Sequence, residues 1–177
     1  MLTLTAMSSR AKKRPAILDG FEIQKNKKGR AVYAMRSYKK GEFVYRLGGK
    51  ETRPHSLGYH LQDFKNASNN PLQVGPITYI ELNIPSLYFN HSCDPNLGVR
   101  NRSDLYALRA IKKRGELTYD YTTTIDESFE CICGSRKCRK AIGDFFTLPR
   151  SIQSSYYKRN ALPAHIRRKF ARLNRSS

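Results

Sequence analysis

YFNHSCDPN, residues 88–96, sets Asn90, His91, Ser92, Cys93 and Asp94 side by side, each able to ligate or hydrogen-bond, and follows them with Pro95. Three readings compete for it: a metal site, a His–Cys catalytic dyad, and a tight polar turn. A thiol two residues after a histidine suggests a nucleophile with its base. Side chains of an extended segment alternate between faces, however, so a special turn would have to bring the two together. Asp-Pro is itself a turn signal. The stretch alone leaves all three open, and the rest of the chain has to decide.

The other cysteines fall together. ECICGSRKC, residues 130–138, spaces Cys131, Cys133 and Cys138 as C-x-C-x4-C with a Gly-Ser turn inside. Three thiolates so close in sequence form a metal-site pattern, and zinc is the usual occupant of a thiolate site. A structural zinc site is tetrahedral, so three ligands leave one position open, and Cys93 is the one cysteine left. The alternative is four unrelated thiols. The start, MLTLTAMSSRAKKRP, has no apolar segment of secretory length, and no run approaches the roughly 20 apolar residues of a membrane span. An intracellular, non-membrane protein is therefore expected, in which metal binding or catalysis is the commoner use of cysteine than disulfides.

Charge narrows the partners. Among 177 residues, 33 Lys and Arg against 14 Asp and Glu give a formal charge of +19. With a mean hydropathy of −0.64, this points to a polyanionic partner, nucleic acid first. Both ends are basic: Arg10, Lys12, Lys13 and Arg14 precede the first acid, Asp19, and only Lys and Arg follow the last, Asp144. AKKRP is a candidate nuclear-import patch. AHIRRKFARL carries Ile166, Phe170 and Leu173 at helical spacing and predicts a short amphipathic helix. ELTYDYTTTIDESFE, residues 116–130, reverses the sign: it holds Glu116, Asp120, Asp126, Glu127 and Glu130 with no Lys or Arg.

The middle of the chain reads as short strands punctuated by turns. Candidates are AVYAM (31–35), GEFVYRL (41–47), TYIEL (78–82), SLYFN (86–90), DLYALRAI (104–111) and ELTYDY (116–121). The expectation is a mostly β domain of several small sheets with a short C-terminal helical tail. Spacing does not give its topology.

Taken in order, YFNHSCDPN, GELTYDY (115–121) and CICGSRKCRK (131–140) resemble the SET-domain protein lysine methyltransferases with a post-SET zinc segment, in the small stand-alone form. KKGRAVYA (27–34) is similar to the family's cofactor-binding opening. The resemblance implies a SET fold with a pseudo-knot, in which the NHSC segment threads against the tyrosine strand. It implies a basic N-terminal arm (1–18), a SET domain (19–126), a post-SET zinc segment (127–148) and a basic, partly helical tail (149–177). Tyr121 would be the catalytic tyrosine, and Tyr119 the residue limiting how many methyls are added, with a lean to mono- or dimethylation. Lys28, Gly29, Arg30, Tyr59, Asn90, His91, Tyr121 and Phe145 would hold S-adenosylmethionine. Cys93, Cys131, Cys133 and Cys138 would hold zinc.

Four features depart from the family pattern: Leu87 stands where arginine is frequent, Lys140 where glycine is usual, Gly29-Arg30-Ala31 replaces a full G-x-G, and Gly115 falls one residue late. The implied substrate is a basic protein, a histone-like tail or a ribosomal protein. Asp126, Glu127 and Glu130 would receive it while the basic arms grip nucleic acid, in the nucleus or at chromatin, or otherwise in the cytoplasm. The competing reading is a non-catalytic zinc-containing module that binds DNA or chromatin.

Overall fold

The computed structural model describes residues 17–18, 20–27, 29–53 and 71–175. Its first strands are β1 (Ile17–Leu18), β2 (Phe21–Asn26), β3 (Gly29–Ala34), β4 (Phe43–Arg46) and β5 (Gly49–Thr52). Then come β6 (Leu72–Gly75), β7 (Thr78–Leu82), β8 (Asn90–His91), β9 (Leu97–Arg100) and β10 (Asp104–Ala107). The last are β11 (Thr118–Tyr119), β12 (Phe129–Glu130) and β13 (Ala141–Ile142), followed by helices α1 (Arg150–Lys158) and α2 (Ala164–Leu173). Lys28 and Tyr59, both expected at the cofactor site, lie outside the described residues, as do the basic patch at residues 10–14 and Asp19.

Three small antiparallel sheets, ordered β1-β2-β3, β4-β10-β9 and β5-β7-β6, pack around one core. Val32, Ala34, Leu97, Leu105 and Leu117 are completely enclosed there, and each large aliphatic so buried stabilises the fold by about 1.5–3 kcal/mol. Several of the expected strands are shorter than their composition suggested, DLYALRAI and GEFVYRL keeping four residues each. SLYFN contains a 3-10 turn over Ser86–Tyr88, started by Pro85, so pairing begins only at Asn90. ELTYDY bridges Tyr33 at Glu116 and forms a strand only at Thr118–Tyr119, beyond which the Asp120 carboxylate accepts the Thr122 N–H and Tyr121–Thr123 make another 3-10 turn.

The helical segment is not a loose tail. Leu108, Phe145, Tyr156, Leu162, Ile166 and Phe170 form a second core, which fastens the helical hairpin to the sheets. Pro163 opens α2, where a missing N–H costs nothing. The hairpin comes so close to β9 that a Cβ on Gly98 would lie 2.7 Å from the Ala161 Cβ. No side chain other than hydrogen fits at position 98.

Candidate active site and metal cluster

The NHSC turn is held by the tyrosine strand. Parallel pairing of β8 with β11 sets Asn90 against Thr118 and His91 against Tyr119. Ser92 N–H donates to the Tyr119 carbonyl at 3.0 Å. Asn96 closes the loop, its Nδ2 donating to Glu116 O at 2.7 Å and its Oδ1 accepting Thr118 N–H at 3.0 Å. Here the polar stretch that opened the sequence reading becomes a backbone clamp.

Each side chain of the turn has its own task. Asn90 Nδ2 lies 3.1 Å from Arg30 O and 3.0 Å from Glu116 Oε1, tying the β3 opening to β8. The Arg30 guanidinium donates to the Tyr88 hydroxyl at 2.7 Å. Arg30 and Asn90 are thus gathered on one side of the clamp. Phe145 is not with them: it is fully buried in the second core, edge-on to Phe146, Tyr156 and Phe170. A flat ligand could not reach its ring face without opening that core.

Tyr121 faces the centre. Its hydroxyl donates to the Phe89 carbonyl at 2.9 Å, and Phe89 is itself locked between Phe21 and Tyr45, with ring centroids 5.9 and 5.3 Å away. The Tyr119 ring lies 4.9 Å from that of Tyr121. Burial pushes both phenols above the ordinary tyrosine range, Tyr119 further through its neighbour Tyr121. Both therefore remain neutral donors at neutral pH. They line a cavity of about 160 Å³ with Tyr79, Leu87, Ile125 and Phe129, whose charged lining residues are Asp126 and Glu127. Leu87, where the family pattern favours arginine, is one of its apolar walls. The acidic island is divided: Asp126 and Glu127 line the cavity, Glu116 braces Asn90, and Glu130 lies exposed on β12.

Asp120 is buried and shared by three parts of the chain. Arg139 Nη2 reaches its Oδ1 at 2.8 Å, the Tyr156 hydroxyl its Oδ2 at 2.7 Å, and Thr122 donates from both N–H and Oγ1. Arg139 belongs to the cysteine segment and Tyr156 to α1, so this carboxylate fastens both to the residue beside Tyr121. Sequence reading had left Asp120 inside the acidic island; burial gives it a different use.

The thiols converge as well. His91, Cys93, Cys131 and Cys133 place donor atoms within 4.8 Å of one another, with Cys93 Sγ 3.6 Å from Cys131 Sγ. Cys138 adjoins them, its thiol interacting with those of Cys131 and Cys133. All four cysteines are free of disulfides. His91 was expected at the cofactor, yet its ring meets the thiols. Its Nδ1 accepts the Tyr121 N–H at 3.2 Å, which leaves the ring proton on Nε2, 3.2 Å from Cys93 Sγ. In that tautomer the imidazole donates to Cys93, so the four groups within reach are three sulfurs and this ring, with Cys138 beside them.

That set suits a thiophilic divalent ion. Burial raises the Cys133 thiol, but N–H bonds from the Cys93 and Ser135 backbone and the neighbouring thiols outweigh it and bring the group down to about 7. Further N–H donors reach Cys93 from Arg139 and Cys138 from Lys140, both at 3.4 Å. Amides aimed at sulfur stabilise thiolates, and several buried thiolates cannot coexist without a cation. Lys140 adopts φ 66°, the left-handed conformation for which the family's usual glycine is suited.

The SET domain family model matches residues 29–122, more than half of the chain. The chain belongs to the SET-domain family. Among curated relatives, histone-lysine N-methyltransferase ASHH3 of Arabidopsis thaliana is 28% identical over 135 residues, covering 68% of this chain and 37% of the relative. The H3 lysine-9 specific KMT1 of Fusarium mangiferae is 29% identical over 126 residues, covering 59% and 34%. The chain thus spans little more than a third of either relative. The solved structure of KRYPTONITE with mCHH DNA, an H3(1-15) peptide and SAH superposes with a TM-score of 0.55 at 26% identity, covering 69% of this chain and 29% of that one. The match ends before the cysteine segment and the hairpin, and among the described residues no helix is long and apolar enough to cross a membrane.

Proposed function

We propose that the chain is an S-adenosylmethionine-dependent protein-lysine N-methyltransferase acting on a basic, histone-like protein. The observation that carries this reading is the cavity: Tyr119 and Tyr121 set in an apolar and aromatic wall, with Asp126 and Glu127 as its charged lining. The carboxylates draw in a cationic side chain. The aromatic wall beyond them disfavours the ammonium by desolvation, so the amine, ordinarily protonated up to about pH 10, can lose its proton. S-adenosylmethionine, when bound, supplies an electrophilic methyl group on sulfur. Gly29, Arg30, Asn90 and His91 are the residues assigned to hold it.

The chain's own contribution is alignment. The Tyr121 hydroxyl, fixed by the Phe89 carbonyl, is a neutral, oriented dipole at the reacting centre and not a base. Tyr119 presents a hydroxyl at the adjoining wall, where it can hold a water in the space an already methylated amine would need. Mono- or dimethylation follows. Tyr119→Phe is expected to move the product distribution toward trimethyl-lysine, read by mass spectrometry of a methylated peptide. Ready trimethylation by the wild type would remove this role.

The four cysteines would hold zinc as a closed structural site. One equivalent of zinc per chain is expected by elemental analysis. Cys133→Ser should lower that content and the melting temperature together, and chelator should expose four titratable thiols. Zinc content unchanged in Cys133→Ser would assign the ion elsewhere. The overall reading is tested with labelled S-adenosylmethionine and a panel of histones, bacterial DNA-binding proteins and ribosomal proteins, wild type beside Tyr121→Phe. Incorporation that the substitution does not affect, or none with any basic protein, would overturn it.

A further inference from the structure

We propose that the α1–α2 hairpin binds the phosphate backbone of duplex nucleic acid and seats it beside the aromatic cavity, so that the protein substrate is met while bound to that nucleic acid. The binding surface stands on its own; its link to the substrate rests on the methyltransferase reading.

The hairpin differs from the rest of the fold in carrying no acid of its own. On the sheets and the cysteine segment several cations have a carboxylate partner: Arg36 has Glu42 at 2.6 Å, Arg102 has Glu51 at 2.8 Å, Lys137 has Asp94 at 3.2 Å and Arg139 has Asp120 at 2.8 Å. After Asp144 the sequence has eight Lys and Arg and no acid. Among the described residues, Arg150, Lys158, Arg159, Arg167, Arg168 and Lys169 have no carboxylate partner.

Several of these charges are nonetheless held in place. Arg167 lies 4.2 Å over the Tyr157 ring and donates to the Tyr157 carbonyl at 2.9 Å. Arg159 stacks on Tyr156 at 4.9 Å, Arg150 on Phe170 at 5.0 Å, and the Lys169 ammonium on Phe146 at 4.3 Å. A ring-backed guanidinium keeps outer N–H groups free for phosphate, and its ordering cost is met before binding. Unpaired but positioned cations suit a regular anionic ligand.

Two other occupants fit less well. A membrane surface needs an apolar helix face, and that of α2, Ile166 and Phe170, is buried in the second core. A protein partner needs an apolar centre, and Leu173 is the exposed large apolar side chain on the hairpin. Position supplies the link to the substrate. Arg168, Lys169 and Arg172 line a cleft of about 510 Å³ together with Gln73, Pro76 and Asp144; Asp126 is shared between this cleft and the aromatic cavity. A basic peptide is attracted to the cavity and repelled by the helix next to it. A basic protein lying on nucleic acid satisfies both.

The test uses the full chain and a labelled duplex of about 20 base pairs, with binding followed by fluorescence anisotropy over a salt series. K158Q/R159Q/R168Q/K169Q is compared with the charge-matched control K39Q/K40Q/K112Q/K113Q. Each phosphate contact contributes roughly 0.9 to the slope of log K against log salt, so the hairpin variant should lose up to about 3.6 and the control should keep the wild-type slope. If the fourfold variant does not fold, R168Q/K169Q, both exposed, should lose about 2. Hairpin variants should methylate a free basic peptide at least as fast as the wild type, and the same protein on a duplex more slowly. Equal slopes in hairpin and control variants would overturn the surface, as would wild-type binding to phosphatidylserine vesicles or poly-glutamate as tight as to the duplex. A preference for free protein over the duplex-bound form would overturn the link to the substrate. If no protein is methylated at all, the enzymatic reading and that link fail together, while the salt slopes still decide the surface.

Discussion

Tyr121→Phe is expected to lower kcat by about a hundredfold while changing peptide KM little, the effect of losing alignment at the reacting atoms. The substitution keeps the ring, so its contacts with Tyr119 and His91, centroids at 4.9 and 5.4 Å, survive. It removes the hydroxyl that binds the Phe89 carbonyl. Leaving that acceptor unpaired costs about 1–3 kcal/mol, and the variant should fold with a modest loss in melting temperature. The pH profile gives a second readout. Burial holds the phenol protonated through the neutral range, so any rise of kcat/KM between pH 7 and 9 belongs to the substrate amine and should persist in the variant. Single-turnover assays at several pH values check both points. A variant with wild-type kcat would place the hydroxyl away from the chemistry.

Asp120→Asn should be the more damaging change to the fold. The carboxylate is completely buried and receives Arg139, Tyr156 and Thr122. An amide of the same shape leaves the mostly buried Arg139 without its counter-charge, a loss of about 3–5 kcal/mol, or roughly 10 °C in a chain of this size. Calorimetry on the metal-loaded protein would measure it. The carboxylate also borders the imidazole of His91, 3.6 Å away, so metal affinity should fall with stability. Arg139→Met removes the cation together with its need for a partner, and Asp120→Asn combined with Arg139→Met should recover part of the loss. A double variant no more stable than Asp120→Asn alone would rule out the buried pair as the cause.

Much of this arrangement was legible in the residues. The C-x-C-x4-C spacing drew attention to the thiols and left one position for Cys93, because local spacing and tetrahedral geometry constrain each other strongly. AHIRRKFARL gave the second helix from its apolar stripe. Other features depend on contacts distant in sequence. Phe145 could be read as an adenine cover, since nothing local says that Tyr156 and Phe170 enclose it. SLYFN has strand composition, but Pro85 and the turn after it win over propensity. Asp120 looked like one acid among five, and its role depends on an arginine from one later segment and a tyrosine from another. The proton on His91 Nε2 depends on a backbone N–H thirty positions away in sequence.

The second core determines where the chain can be cut. Phe145, Phe146 and Leu148 follow the cysteine segment directly, yet what covers them comes from α1 and α2. Cleavage at Pro149 would spare every presumed ligand and both cavity tyrosines, but it would bare Leu108 and Phe145 to water and take away the phenol that reaches Asp120. A fragment cut at Pro149 should therefore aggregate or bind its metal poorly. Its inactivity would then say nothing about the chemistry of the whole.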